Sequence, residues 1–434
     1  MLKRLISRIR DNNLLKSVAS YGLADLMQKA ISFITLPVFS YYIIPEELGF
    51  VANFDVLVNI IVLISGQATI NALTYFFYNK TKKENAILIS NLVFIVLIMN
   101  LVCGLSILFI SGAIIKYLAI GVGFQIMAVL CASFSMLSSV NSIVYRLEEN
   151  PKAFVWINIA SSVATTVLMV YFVVCQHLGG VGKIYGYSIA LFVFCIINVI
   201  LLYRRGYIIL KICNDDIKKL LKFGLPLLPH SLSFWIKSGM DKILITTFCG
   251  LAANGQYSMA MGFGAIYNLF QNSFNNAYSP YLQKRISKIN PTNEEQVKEG
   301  IVSLSYKIMI GFVFISIMAI VASWFIINYL LSDRYAESFH FIPWIMVSLM
   351  LRSIYSLTVE FAYTSKKTAG IGLITFTGSV IQCILTYFFI LIWNLDGVKY
   401  SLVIGSLIIT IAIWIYSNCV YPMPWLKALK RCGK

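Results

Sequence analysis

The sequence is poor in charged residues and contains no long polar stretch. Only 12% of the 434 residues are Asp, Glu, Lys or Arg, whereas a soluble domain carries about 25%. Hydrophobic residues make up 59% of the chain, and the mean hydropathy is +0.79. A soluble globular protein is therefore excluded. At about 20 residues per membrane-spanning helix, the chain has room for about twelve spans.

The sequence also lacks the motifs of an enzyme. It has no D-x-D metal motif and no C-x-x-C spacing, and its nine cysteines are an odd number. Membrane glycosyltransferases and polysaccharide polymerases need chemistry outside the membrane, and the predicted spans leave no large external loop for it. We therefore expect a protein that is not an enzyme and that has no cofactor and no metal site.

Apolar segments long enough to cross a membrane follow one another along the whole chain. They are predicted at residues 14–40, 49–72, 86–110, 121–145, 153–175, 184–203, 225–248, 256–279, 301–331, 339–363, 368–392 and 400–421. With the N-terminus in the cytoplasm, 26 of the 35 Lys and Arg residues lie in cytoplasmic segments, and four lie in external loops. The positive-inside rule thus places both termini in the cytoplasm and explains the net charge of +17 without a nucleic-acid partner.

A basic connection near the middle of the sequence divides the chain into two halves. We predict an N-terminal six-helix lobe at 1–203, a basic cytoplasmic linker at 204–224 and a C-terminal six-helix lobe at 225–434. The lobes open on similar sequences, YGLADL at 21–26 and FGLPLL at 223–228, and each is followed by a glycine, Gly49 and Gly255, in the next predicted loop. Because six spans bring the chain back to the same side, the repeats are parallel, and rocking of one lobe against the other is the expected mechanism.

Nine ionisable residues fall within the predicted spans, where each costs about 2.5–3.5 kcal/mol on insertion scales. They are Asp25, Lys29, Asp55, Lys237, Asp241, Lys242, Lys307, Arg352 and Glu360. Asp25 with Lys29, and Lys237 with Asp241, are four residues apart and share a helix face. Each pair is open to two interpretations, a structural ion pair or part of a basic patch for an anionic head group.

The cations that lie deepest are the predicted substrate contacts. These are Lys29, Lys237 and Arg352, since Arg forms bidentate contacts with phosphate. A bridge from Arg352 to Glu360 is the alternative. Lys242 and Lys307 lie nearer the span ends, from which a long side chain reaches the membrane surface.

The acids within the spans are the predicted coupling residues, because a carboxylate in low-dielectric surroundings readily binds a proton or a sodium ion. They are Asp25, Asp55, Asp241 and Glu360. His230, near the start of span 7, also titrates near neutrality, but a lone histidine near an interface is commonly a packing residue.

The eighth predicted span is unusually rich in amides. Asn268, Gln271, Asn272 and Asn275 follow i, i+3, i+4, i+7 spacing and form one polar face, with aromatic residues among them. A lipid-facing helix does not tolerate so many amides. We predict that this face binds sugar hydroxyls while the rings stack on sugar faces, and interhelical hydrogen bonding is the alternative.

Together these features resemble a known family. The residues concerned are the basic N-terminus, Leu36-Pro37 in a polar first span, the loop IPEELGF at 44–50, FGLP at 223–226 and GQYSMA at 255–260. The chain is similar to the polysaccharide-biosynthesis flippases of the multidrug/oligosaccharidyl-lipid/polysaccharide (MOP) superfamily, and most of all to the Wzx-type O-antigen flippases. The resemblance covers the full length.

The resemblance implies an all-α, V-shaped transporter of about twelve transmembrane helices, with a central cavity lined mainly by spans 1, 2, 7 and 8. It implies movement of an undecaprenyl-pyrophosphate-linked oligosaccharide across the bacterial inner membrane, coupled to H⁺ or Na⁺. The expected partners are this lipid-linked oligosaccharide, membrane lipid and other polysaccharide-assembly membrane proteins. A multidrug or cation antiporter and a peptidoglycan-precursor flippase of the same superfamily remain alternatives.

Overall fold

The computed structural model describes residues 13–427 except residues 79, 210, 366, 368 and 426. Within this part, the side chains of residues 13–21, 23–25, 67, 68, 230, 234 and 369 are not described. The basic residues at 3–10 and the cations at 430–434, which entered the predicted topology, lie outside the described residues. Every regular element in the described part is helical.

The first half of the chain contains six long helices. They are α1 (Asn13–Tyr42), α2 (Pro45–Val62), α3 (Lys82–Phe109), α4 (Val122–Leu147), α5 (Pro151–Val170) and α6 (Gly179–Arg204). Turns of π-helix extend α2 over Leu63–Gln67 and α5 over Tyr171–Cys175. An amphipathic helix at Asn214–Gly224 follows α6. It corresponds to the second part of the predicted basic linker.

The second half also contains six long helices, although two of them are nearly continuous. The helical segment Leu228–Ile286 is divided at Gly250 into α7 (228–249) and α8 (251–286). It is followed by α9 (Glu294–Leu330), α10 (Ile342–Thr364), α11 (Ala369–Trp393) and α12 (Leu395–Val420).

Nine helices of the described part are long and apolar enough to cross a membrane. With α1, α7 and α8 the number of long helices is twelve, as the apolar segments predict. The prediction of an all-α polytopic membrane protein is confirmed.

The connection between α7 and α8 differs from the prediction. The gap between the spans at 225–248 and 256–279 predicts a loop, but the backbone is helical on both sides of a single residue, Gly250. Its φ of 88° and ψ of 172° suit glycine, which has no Cβ. The polar Asn254 lies in this gap. It is fully buried and donates hydrogen bonds to Asn53 Oδ1 (2.8 Å) and to the Gly49 carbonyl (3.2 Å).

The chain forms two compact units, each with its own core. The first contains residues 1–235 and 250–255, and the second contains residues 236–249 and 256–434. In the first unit, α4 packs against α2, α3 and α6, and α5 packs against α1 and α6. In the second unit, α10 packs against α9 and α12, and α11 packs against α12.

The core of each unit joins apolar side chains from several elements. In the first unit, Leu88 and Leu92 of α3 pack in one cluster with Val140 and Val144 of α4. The same cluster includes Leu220, so the amphipathic helix is packed against the helices. In the second unit, the cluster joins α8, α9, α10 and the segment after α12, through Leu282, Ile301, Leu357 and Trp425. Burial of this apolar surface stabilises each unit separately.

Gly49 and Gly255 are helical residues that allow close packing, not loop residues as the sequence suggested. Both lie in the first unit, in α2 and at the start of α8. A Cβ at Gly49 would overlap the Leu251 carbonyl group, and a Cβ at Gly255 would overlap the Pro45 carbonyl group. Because these two residues have no side chain, the backbones of α2 and α8 can approach each other closely, as helices do at small residues in membrane proteins.

Replacing Gly255 by alanine is expected to destabilise the first unit. The new methyl group must displace backbone, and overpacking of this kind typically costs about 1–3 kcal/mol. We expect a lower apparent melting temperature of the purified protein in detergent, measured by size-exclusion after heating. Gly311→Ala is the matched control, because a Cβ at this position in α9 has no atom within 4 Å. Equal melting temperatures for the two variants would contradict the close-packing interpretation.

Candidate functional site

The most enclosed acid of the second unit is Asp241, on α7. It is 2% exposed. The Thr386 hydroxyl of α11 donates to its Oδ1 (3.2 Å), and the Tyr257 hydroxyl of α8 donates to its Oδ2 (3.4 Å). Thr386 Oγ1 also lies 2.9 Å from Ser401 Oγ of α12. Two helices, α8 and α11, therefore supply hydroxyl oxygens to one buried carboxylate, and α12 adds Ser401 next to Thr386.

Gln382 lies one helical turn from Thr386 and has unused hydrogen-bonding capacity. The side chain is 1% exposed, and neither its Oε1 nor its Nε2 has a hydrogen-bond partner in the described part of the chain. A buried amide without partners costs free energy. The region around Asp241 therefore retains polar atoms that a bound ion or water would satisfy.

Two predicted substrate contacts, Lys237 and Arg352, lie in the same unit. Lys237 is one turn before Asp241 on α7 and is partly exposed, and Arg352 of α10 is exposed. The Lys237 ammonium is within electrostatic range of both Asp241 and Arg352. The structure thus brings two cations of membrane-spanning helices near each other, where they repel unless an anion lies between them.

The ion-pair alternatives for these cations are not observed. Among the described side chains, neither Lys237 nor Arg352 forms a salt bridge. Asp241 is bonded to hydroxyl groups, and Glu360 Oε2 accepts a hydrogen bond from Ser279 Oγ (2.8 Å). No carboxylate among the described side chains therefore lies at contact distance from Lys237 or Arg352.

The predicted amide face of α8 is divided between two environments. Gln271 is 3% exposed and donates to Ser356 Oγ of α10 (2.8 Å), which is the interhelical bond given above as the alternative. Asn268 and Asn275 are partly buried, and Asn272 is exposed. Binding of sugar by these four residues stays a prediction.

The aromatic residues of α8 mostly belong to the packing of the second unit. The Tyr267 hydroxyl lies 3.1 Å from Ser353 Oγ, and the Tyr278 hydroxyl lies 3.2 Å from Ser305 Oγ. The ring of Phe274 stacks on Tyr278 with centroids 5.5 Å apart. Phe270, by contrast, is 60% exposed.

The other predicted residues lie elsewhere in the fold. In the first unit, Lys29 on α1 and Asp55 on α2 are exposed, and Asp55 interacts electrostatically with Tyr187 of α6. In the second unit, Lys307 is exposed on α9 and Lys242 is partly buried on α7. The side chains of Asp25 and His230 lie outside the described ones. No group of three or more His, Cys, Asp or Glu residues that could hold a metal was found among the described residues.

The first unit contains a polar cavity that the sequence interpretation missed. Its volume is about 530 Å³, and ten of its 18 lining residues are serine or threonine. Four helices, α1, α4, α5 and α6, contribute side chains to this hydroxyl cavity. α4 supplies Ser135, Ser138, Ser139 and Ser142, and α5 supplies Asn158, Ser161, Ser162, Thr165 and Thr166.

A sequence signal for the hydroxyl cavity exists. The serines of α4 follow i, i+3, i+4, i+7 spacing, and the polar residues of α5 follow i, i+3, i+4, i+7, i+8 spacing. This is the period of one helix face. The pattern is easily overlooked because serine and threonine are nearly neutral in hydropathy and leave each span apolar on average.

Comparison with known proteins identifies the family. The sequence model of the polysaccharide biosynthesis protein family matches residues 14–286, which is more than half of the chain. The chain belongs to the polysaccharide biosynthesis protein family. Among curated protein sequences, none matches this polysaccharide biosynthesis protein.

Solved structures confirm the fold of this polysaccharide biosynthesis protein. An inward-facing multidrug resistance MATE family transporter of the MOP superfamily matches with a TM-score of 0.72 and 16% identity over 94% of this chain and 96% of that one. The lipid II flippase MurJ, in an inward closed conformation, matches with a TM-score of 0.69 and 14% identity over 94% and 90%. A MATE protein in complex with MaD3S matches with a TM-score of 0.59 and 16% identity over 96% and 97%.

The predicted polysaccharide-biosynthesis family is therefore confirmed, and the predicted fold, which is that of a transporter of the MOP superfamily, is confirmed as well. The matched structures are membrane transporters, and their fold agrees with a multi-pass membrane protein. Identities of 14–16% relate the folds and do not transfer a substrate.

The two environments of the α8 amides predict different reactivity of introduced cysteines. In a variant without the nine native cysteines, cysteine at Asn272 is expected to react quickly with a water-soluble maleimide in intact membranes. Cysteine at Gln271, the adjacent position, is expected to react slowly because this side chain is buried against α10. Labelling is followed by gel shift. Faster reaction at 271 than at 272 would contradict the described packing of α8.

Proposed function

We propose that this protein is a flippase that moves an undecaprenyl-pyrophosphate-linked oligosaccharide, such as an O-antigen repeat unit, from the cytoplasmic to the periplasmic leaflet of a bacterial inner membrane. It does so by alternating access. Both termini are cytoplasmic, as the distribution of Lys and Arg predicts. The lipid-linked oligosaccharide and membrane lipid are its partners, together with other membrane proteins of polysaccharide assembly.

The observation that carries this proposal is the pair of cations, Lys237 and Arg352, on membrane-spanning helices of one unit without a salt bridge to a described carboxylate. An uncompensated charge within a membrane protein is costly and usually serves a ligand or an ion pathway. Pyrophosphate carries the opposite charge and several oxygen acceptors, and guanidinium can bind such oxygens in a bidentate manner. An anionic head group therefore satisfies both side chains.

The same observation argues against a multidrug or cation antiporter, the main alternative. A cationic substrate near Lys237 and Arg352 would be repelled at short distance in surroundings of low dielectric constant. A peptidoglycan-precursor flippase would use the same cations, so the geometry of the second unit supports lipid-linked pyrophosphates as a class. The family match to polysaccharide biosynthesis favours an oligosaccharide within that class.

Coupling to H⁺ or Na⁺ is proposed at Asp241. Among the acids predicted for this role, Asp241 is buried and surrounded by the hydroxyl groups of Thr386 and Tyr257. Carboxylate and hydroxyl oxygens are the ligands that hard cations prefer. Binding of one cation would neutralise Asp241 and leave Lys237 with less electrostatic support. The affinity for ion and anionic substrate would then be linked.

Removing the charge of Lys237 is expected to reduce transport strongly. A hydrogen bond to a charged group contributes about 1.5–3 kcal/mol, so Lys237→Ala should lower the transport rate roughly 10- to 100-fold. The measurement is movement of purified lipid-linked oligosaccharide between leaflets in proteoliposomes. Lys237→Arg keeps the charge and should keep more activity.

The matched control for this experiment is Lys307→Ala, which removes an exposed lysine from another spanning helix of the same unit. It should transport at nearly the wild-type rate. Full activity of Lys237→Ala, in protein that inserts normally into the membrane, would refute the role of Lys237 in binding pyrophosphate.

Asp241→Asn is expected to change the ion dependence of transport more than it changes substrate binding. The amide keeps the shape, its oxygen can accept from one of the two hydroxyl groups while its NH2 group donates to the other, and it carries no charge for a cation to neutralise. In proteoliposomes with imposed H⁺ or Na⁺ gradients, the wild type should respond to one of the two gradients and Asp241→Asn to neither. Glu360→Gln, which alters a half-buried acid of the same unit, is the control. A wild-type gradient response in Asp241→Asn would transfer the coupling role to another acid.

A further inference from the structure

We propose that the hydroxyl cavity of the first unit is a binding site for the sugar rings of the transported glycan. This inference rests on the proposed function. The cavity contains neither the predicted amide face of α8 nor the cations Lys237 and Arg352. The volume of about 530 Å³ lies within the range of about 300–1,000 Å³ that is usual for small-molecule sites.

The hydroxyl groups of this cavity are not used to join helices. α5 supplies five polar lining residues, yet Phe154 is the one buried residue of the described helix. The opposite face of α5 carries the exposed Trp156, Val163 and Val167, as expected of a face in contact with lipid. Interhelical bonding by serine and threonine would require burial between helices. The polar face of α5 instead borders open space.

Several of the lining hydroxyl groups donate their protons within their own helix. Ser139 Oγ donates to the Ser135 carbonyl (2.9 Å), and Thr165 Oγ1 donates to the Ser161 carbonyl (2.7 Å). Each proton is thus used within its own helix, whereas the oxygen lone pairs remain free to accept. Ser138 Oγ is buried and has no partner in the described structure. A ligand with several O–H donors complements this lining, and a sugar ring is such a ligand.

The charges around the cavity favour an uncharged part of the substrate. Lys183 is the charged side chain among its lining residues, and its Nζ lies 5.1 Å from the ring centroid of Phe39. The exposed Asp55 interacts electrostatically with Tyr187, which also lines the cavity. One charge of each sign does not form a site for pyrophosphate or for a cationic drug.

The apolar lining residues fit the same ligand. Leu36 and Phe39 of α1, Met169 of α5 and Leu191 of α6 interrupt the hydroxyl groups. Sugar rings present C–H faces as well as hydroxyl groups, so a mixed lining binds them better than a wholly polar or wholly apolar one. A polyprenyl tail, which has no polar atoms, would leave the serines without partners.

The test compares ligands with and without sugar on the full-length protein in nanodiscs. The variant combines Ser138→Ala, Ser161→Ala, Ser162→Ala and Thr165→Val, which remove hydroxyl groups with little change of shape. The probes are the lipid-linked oligosaccharides extracted from the strain that encodes the chain, undecaprenyl pyrophosphate without sugar, and the free glycan released from the extract. Dissociation constants are measured by native mass spectrometry.

The variant should bind the lipid-linked oligosaccharide at least about tenfold more weakly than the wild type, since several hydrogen bonds of modest strength are lost. It should bind undecaprenyl pyrophosphate as the wild type does. The wild type should also bind the free glycan weakly, and the variant should not. This pair of results would show that the cavity recognises the sugar itself. The control variant combines Thr74→Val, Ser106→Ala and Thr377→Val, which remove hydroxyl groups that donate to their own helix away from the cavity. It should retain wild-type affinity for all probes.

Two outcomes separate this inference from the proposed function. If the wild type binds neither lipid-linked probe, the proposed function is wrong. If the wild type binds both but the cavity variant binds the lipid-linked oligosaccharide with unchanged affinity, the function stands and the sugar site is refuted. If the fourfold variant loses its native elution profile, the single variant Ser162→Ala is compared with the single control Ser106→Ala. Unchanged affinity of Ser162→Ala for the lipid-linked oligosaccharide then refutes the sugar site.

Discussion

Hydrocarbon offers no hydrogen-bond partner, and this constraint decides what each polar side chain of the structure does. A polar group in a spanning helix must be satisfied within its own helix, by a neighbouring helix, or by something that is transported or bound. Asn141 Nδ2 donates to Asn198 Oδ1 (2.6 Å) between α4 and α6, and Ser348 Oγ lies 2.6 Å from Ser406 Oγ between α10 and α12. Such pairs are complete, and they stabilise the packing of each unit.

Other polar groups have no hydrogen-bond or salt-bridge partner in the described part of the chain. In the second unit they include the amide of Gln382 near Asp241 and the cations Lys237 and Arg352. In the first unit they include Ser138 Oγ of the hydroxyl cavity. Unpartnered single atoms outside these two sites belong to Asn85, Ser111, Gln125 and Ser417. A ligand in either site would satisfy the unpartnered groups there, whereas the asparagine and serine pairs satisfy each other between helices. The same physical constraint thus separates packing residues from candidate functional residues.

The difference between packing residues and candidate functional residues explains how much could be predicted from the sequence. The number and order of the long helices follow from apolar length, and the positions of Lys237, Asp241 and Arg352 within spans follow from the same pattern. The role of Gln271 could not be predicted, because a helical period shows which residues share a face but not whether that face meets another helix or a cavity. The helical packing of Gly49 and Gly255 was missed for a related reason, since a glycine in a polar stretch is typical of both a loop and a close contact.

The hydroxyl cavity adds a physical reason for the choice of side chain. Apart from Asn158, the polar lining of α5 consists of hydroxyl groups. An amide leaves donors and acceptors that its own helix cannot fully satisfy, whereas a serine or threonine hydroxyl donates to a carbonyl of the preceding turn. α5 can therefore enter the membrane at low cost and still present acceptors along one face. Each of these hydrogen bonds contributes little, about 0.5–1.5 kcal/mol. A transporter gains from this weakness, because a ligand held by many small contacts is recognised without being retained. A hydroxyl oxygen also accepts hydrogen bonds over a broad range of directions, so the same surface can bind sugars whose hydroxyl groups point in different directions.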